Sequence, residues 1–79
     1  MNDTVKKFKS ICQACNARIW YSSIMDENND ILRVDVEDYD DSVLIRDFAK
    51  KLGLEFDNYF EHQDHIALSF HAGELRDLF

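Results

Sequence analysis

Residues 18–37, RIWYSSIMDENNDILRVDVE, decide the fold. From Ile31 to Glu37 the side chains alternate. Leu32, Val34 and Val36 lie on one face and Arg33, Asp35 and Glu37 on the other. A period of two means a strand with one face buried and one face wet. Residues 18–25 are rich in β-branched and aromatic types and read as a second strand. Between them Glu27, Asn28, Asn29 and Asp30 form a turn cluster, in which Asn tolerates positive φ. The stretch is therefore a half-buried hairpin with an acidic outer face.

Working outward, the period lengthens. Val5, Phe8, Ile11, Cys12 and Cys15 recur at three and four spacing, with lysines between them, which predicts a helix over 3–16 capped by Asp3 or Thr4. Residues 42–52 predict a second helix. Asp40 or Asp41 caps it, Lys50 and Lys51 sit at its negative end and Gly53 stops it. Val43, Leu44, Phe48 and Leu52, with Ile45 alongside, form its apolar stripe. Residues 54–61 fit a short strand and a helical turn equally. Residues 64–70 read as a third strand with Ile66, Leu68 and Phe70 inward, and Gly73 to Phe79 as a last helical turn docking Leu75 and Leu78. The expected fold is α+β: a small antiparallel three-stranded sheet with helices on one face, in the order α-β-β-α-β-α.

The 79 residues make a single domain, 1–79. A composition 46 % hydrophobic and 13 % aromatic is that of a folded chain. The formal charge is −7, from 16 acids against 9 bases. That balance repels nucleic acid and anionic membrane and favours a basic protein surface as partner. The charge is lopsided. Residues 1–20 carry Lys6, Lys7, Lys9 and Arg18 against Asp3, a net of +3, and the other 5 bases and 15 acids give −10. No apolar run reaches the roughly 18 residues of a membrane helix, and the start has no hydrophobic signal core. A cytoplasmic protein with reduced cysteines is expected.

Cys12 and Cys15 stand three apart, and His62, His65 and His71 surround the third expected strand. Zinc takes four such ligands, and a Cys-x-x-Cys pair supplies two of them from one knuckle. The other reading makes the two cysteines small core residues, on the same helix face as Phe8 and Ile11. A redox pair would sit after a strand at the start of a helix, and this one does not. Residues 12–37, CQACNARIWYSSIMDENNDILRVDVE, resemble the first half of small zinc-ribbon-like proteins common in phage and bacterial genomes. Cys12, Cys15, Ile19 and Trp20 match that opening. The resemblance implies one structural zinc held by Cys12, Cys15, His65 and His71, in an accessory domain that binds protein or nucleic acid, with Lys6, Lys7 and Lys9 available for the contact. Without it, no cofactor is expected.

The acids make the second candidate site. Asp26, Glu27 and Asp30 cluster at the hairpin tip, Asp35 and Glu37 share a strand face, and Asp38, Asp40 and Asp41 extend the patch around Tyr39. A carboxylate array on a small rigid domain fits a groove built for phosphates. It equally serves as a solvated surface that resists aggregation. In size and acidity the chain resembles phage-encoded inhibitors of the anti-CRISPR and anti-restriction type, which mimic nucleic acid. That resemblance implies a phage or mobile-element inhibitor of a nucleic-acid-handling host protein.

Other chemistry fits less well. "DENND" and "DVEDYDD" lack the glycine and the final glutamate of a calcium loop. Glu61, His62, Asp64 and His65 form an acid–base cluster with no nucleophile or phosphate loop beside it, so no enzymatic activity is expected. A chain this small also gains core by pairing, so a homodimer is a third possibility.

Overall fold

A computed structural model describes residues 3–23, 30–73 and 75, with backbone alone for 22, 23 and 30. The elements run α1 (Asp3–Ala14), β1 (Arg18–Ser23), β2 (Asp30–Val36), α2 (Tyr39–Leu52), β3 (Glu55–Glu61) and β4 (Ile66–His71). The fold is α+β, as the hairpin and the two amphipathic stretches require. The sheet, however, has four strands, not three, in the order β1-β2-β4-β3, and every neighbouring pair is antiparallel. Residues 55–61, ambiguous in sequence, are the additional strand. Of the expected last turn, Leu75 donates its amide to the Ala72 carbonyl at 3.0 Å and packs on the core, while Leu78 lies outside the described residues.

Register sorts the two faces. Leu32, Val34 and Val36 stand opposite Phe70, Leu68 and Ile66, and all six are buried beneath the helices. Ile19 and Tyr21 continue that face on β1, and Phe56 and Tyr59 on β3. Phe8 and Cys12 of α1 and Ile45 and Ala49 of α2 cover it. The other face is open and carries Trp20, Arg33, Asp35, Ala67, Ser69, Asn58 and Phe60. Burying one such aliphatic or aromatic side chain is worth about 1.5–3 kcal/mol, so this single inner layer supplies most of the apolar driving force.

The α2 stripe is rotated from the one expected. Ser42, Ile45 and Ala49 are buried, while Val43 and Leu44 are 41 % and 50 % exposed. Small side chains at 42 and 49 let the helix approach its neighbours closely. The helix also starts earlier, at Tyr39, with Asp38 as its N-cap residue in place of Asp40 or Asp41. Asp40 and Asp41 lie instead in the first turn, where negative charge suits the helix dipole.

Both helices end alike. Ala17 N–H bonds the Cys12 carbonyl at 2.8 Å and Asn16 N–H the Gln13 carbonyl at 3.0 Å. Leu54 N–H bonds the Ala49 carbonyl at 3.0 Å and Gly53 N–H the Lys50 carbonyl at 3.2 Å. Each is a Schellman ending with a left-handed residue, Asn16 at φ 55 and Gly53 at φ 102. The correspondence runs further. The buried helix positions Val5, Phe8 and Cys12 precede Ser42, Ile45 and Ala49 by 37 residues in each case. The sheet order is unchanged when β1 and β2 exchange with β3 and β4. The chain is two α-β-β units about a pseudo-dyad between β2 and β4, a repeat that identity between the halves does not reveal.

Candidate functional site

At one end of the sheet Asn16, Arg18, Asp35, Val36, Glu37, Asp64 and His65 line a polar cup of about 270 Å³. The end of β2 supplies Asp35 and Glu37. The β3–β4 turn supplies Asp64 and His65. Arg33 grips Asp35 with two hydrogen bonds, from Nε at 2.9 Å and Nη2 at 3.3 Å. The Arg33 guanidinium also lies over the Trp20 ring, 5.3 Å from its centre.

His65 is held from several sides. Its Nδ1 lies 2.7 Å from Asp64 Oδ1, and the His62 ring stacks on it at 4.4 Å. Its Nε2 is buried, has no hydrogen-bond partner among the described residues, and lies 3.6 Å from Asp35 Oδ2. The hydrogen bond from His65 holds the Asp64 carboxyl below its usual value. The expected acid–base group around His62, Asp64 and His65 is thus assembled in space.

The acidic run continues from the cup onto α2. Glu37, Asp38 and Asp40 are exposed, and their side chains form no ion pair with a described residue. Asp38 makes no side-chain cap hydrogen bond. Tyr39, in their midst, is 60 % exposed. Its carbonyl accepts from Ser42 Oγ at 2.6 Å, which fixes the first turn. Asp41 is half-buried and faces Cys15. Of the sequence-predicted residues, Glu37, Asp38, Tyr39 and Asp40 are exposed, whereas Asp35 is held by Arg33 and Asp41 is half-buried against Cys15. Asp26 and Glu27 lie outside the described residues, and the Asp30 side chain does too.

The four expected zinc ligands are not brought together. Cys12 is fully buried in the helix layer. Burial first, then the neighbouring Cys15, pushes its thiol up to about 12. Burial and the Asp41 carboxylate raise Cys15 as well. His65 lies in the cup, and His71 ends β4 on the open face, where its Nε2 is 3.1 Å from Asp57 Oδ1. Six residues of extended strand separate the histidines by about 20 Å, whereas zinc donors sit about 2.0–2.3 Å from one metal. The Cys-x-x-Cys spacing is the end of a helix, not a knuckle, because Asn16 closes the Schellman motif there. Among the described residues no group of three or more His, Cys, Asp or Glu is arranged to hold a metal ion. The residues do not fit the ion that the ribbon-like resemblance implies.

Sequence reasoning missed Asp57. It accepts from Ser69 Oγ at 3.1 Å and faces His71 across the β3–β4 ladder. A bulge between Phe56 and Asn58 turns its carboxylate onto the open face. Ser69 and His71 both face the carboxylate, not each other. No helix among the described residues is long and apolar enough to cross a membrane. No family model, curated protein or solved structure matches the chain.

Proposed function

We propose that this chain is a non-enzymatic binding protein that docks on a basic protein surface through the band from Asp35 to Asp41. One observation carries the reading: among the described residues, Glu37, Asp38 and Asp40 stand unpaired around the exposed ring of Tyr39. Carboxylates used for stability are paired or hydrogen-bonded, as Asp35 and Asp57 are. Carboxylates left free beside an apolar anchor suit an interface, with the aromatic at its centre and the charges steering approach. With Asp64 at its rim, the cup offers a seat for a partner arginine or lysine.

The setting we favour is a phage or mobile-element inhibitor, of the anti-CRISPR or anti-restriction type, whose target is a nucleic-acid-handling protein. Its warrant is the −7 charge on 79 residues and the match between spaced carboxylates and a phosphate-binding groove. The test is affinity capture from a lysate on the wild type and on the combined Glu37→Gln, Asp38→Asn, Tyr39→Ala, Asp40→Asn variant, with duplex DNA as competitor. The expected result is a basic nucleic-acid-binding protein held at low salt, released by salt and by DNA, and absent from the variant. Equal capture by both proteins overturns the reading.

A further inference from the structure

The pseudo-dyad makes β1 and β3 equivalent edges, yet they are guarded differently. β3 carries Glu55, Asp57 and Glu61 and is broken by the bulge at Phe56/Asn58. Charges and bulges on an edge strand block the addition of further strands. β1 has no bulge, and its one charge, Arg18, stands at its first position. Arg18–Ser23 pairs with β2 in unbroken register, without proline or acid, and no described strand pairs with its outer side. Both of its faces are apolar near that edge. Trp20 is 46 % exposed on the open face, its ring steadied by Arg33. On the helix side Ala17, Ile19 and Tyr21, with Lys9 and Gln13 of α1, line a shallow groove of about 440 Å³.

We propose that this edge pairs with the β1 edge of a second copy, giving one continuous antiparallel sheet across a two-fold axis. Residues opposite each other in an antiparallel pair share a face, so a two-fold normal to the sheet requires paired residue numbers to have the same parity. Placing Trp20 on the axis satisfies this. Trp20 then faces Trp20 of the copy, Ile19 faces Tyr21, and Arg18 faces Ser22. Apolar meets apolar on both faces, and no like charges oppose. The same operation on β3, centred on Asn58, sets Phe56 against Phe60, which the bulge leaves on opposite faces. In a chain of net charge −7, self-pairing is least opposed at an edge free of acids. The interface is isologous, as a two-fold demands. Tyr39 is on α2, outside the paired strand, so each copy keeps its exposed Glu37, Asp38, Tyr39 and Asp40.

The test is the mass of the full chain in solution over a concentration series, by size exclusion with light scattering. The expected mass is twice the 9.3 kDa of one chain. Trp20→Lys and Trp20→Glu should each halve it, because like charges then meet on the axis. An equimolar mixture of the two should restore it. Leu44→Lys on α2 and Phe60→Lys on β3 should leave the wild-type mass unchanged. Hydrogen exchange on the wild type covers the case in which a Trp20 variant fails to fold, and amides 18–22 should slow as concentration rises. A monomer at every concentration overturns the proposal. So does a dimer that survives both Trp20 variants, a mixture that stays monomeric, or protection that appears on α2 instead.

Discussion

Cys12 and Ala49 hold the same place in the two halves. Each is buried one turn before its helix ends, and each carbonyl accepts the amide of the residue that leaves the helix, Ala17 or Leu54. The site thus accepts an alanine-sized side chain. Cys12→Ala is expected to fold and to lose only about 1 kcal/mol, at the low end for large-to-small core changes. Denaturant titration measures it, and a loss above about 3 kcal/mol would contradict the equivalence.

The same thiol predicts a pH effect. Folding raises Cys12 from 9.0 to about 12, so the folded chain keeps a proton that the unfolded chain releases. Stability from this group is complete below pH 9 and falls as pH rises toward 12. The stability gap between wild type and Cys12→Ala should narrow over that range. Alkylation at neutral pH should modify Cys15 first and leave Cys12 until the core opens.

Asp64 contributes to the acid limb. Its hydrogen bond from His65 lowers its pKa below 3.8 in the folded state. The resulting stability is present above that value and is lost as pH falls below it. Asp64→Asn should lose that contribution at neutrality and converge with the wild type below about pH 4, which flattens the acid limb. An unaltered acid limb would remove the assigned role.

Three positions contrast backbone strain with burial. Gly53 sits at φ 102, and a Cβ added there would meet no atom within 4 Å, so Gly53→Ala costs backbone strain alone, about 1 kcal/mol. Phe70 is buried against Phe56, with ring centres 5.8 Å apart, and Phe70→Ala should cost about 3–5 kcal/mol. Phe60 is 54 % exposed on the open face, and Phe60→Ala should cost well under about 1 kcal/mol. Thermal or denaturant unfolding of the three variants ranks them, and a Phe60 variant as damaged as the Phe70 one would contradict the assignment of faces.

Chelation is the direct check on the cysteine–histidine arrangement. With His65 and His71 at opposite ends of β4, a strong chelator should leave the melting temperature unchanged. A fold lost on chelation and regained with zinc would require a different path for residues 62–71.

How far the sequence could be read depends on phase. β2 keeps a strict period of two, and its inward and outward sets are those of the structure. β3 does not, because the bulge puts Phe56 and Tyr59 on one face three residues apart. That spacing imitates a helix, which is why 54–61 fitted both patterns. On α2 the apolar residues Val43 and Leu44 drew the stripe toward themselves, while the buried positions were Ser42 and Ala49, chosen for size. The acidic run was legible as composition, and the approach of His65 to Asp35 was not, since only the sheet brings residue 35 beside 65. Nor was Asp57, whose direction depends on the bulge.

That bulge has a further consequence. A sheet with two receptive margins can add chains without end and grow into a fibre. Here one margin is sealed by a kink and three carboxylates. Whatever strand joins at β1, the far side refuses the next one, so the arithmetic of assembly closes after a single step. On the proposed pairing, a one-residue insertion in β3 would bound stoichiometry from the opposite side of the molecule.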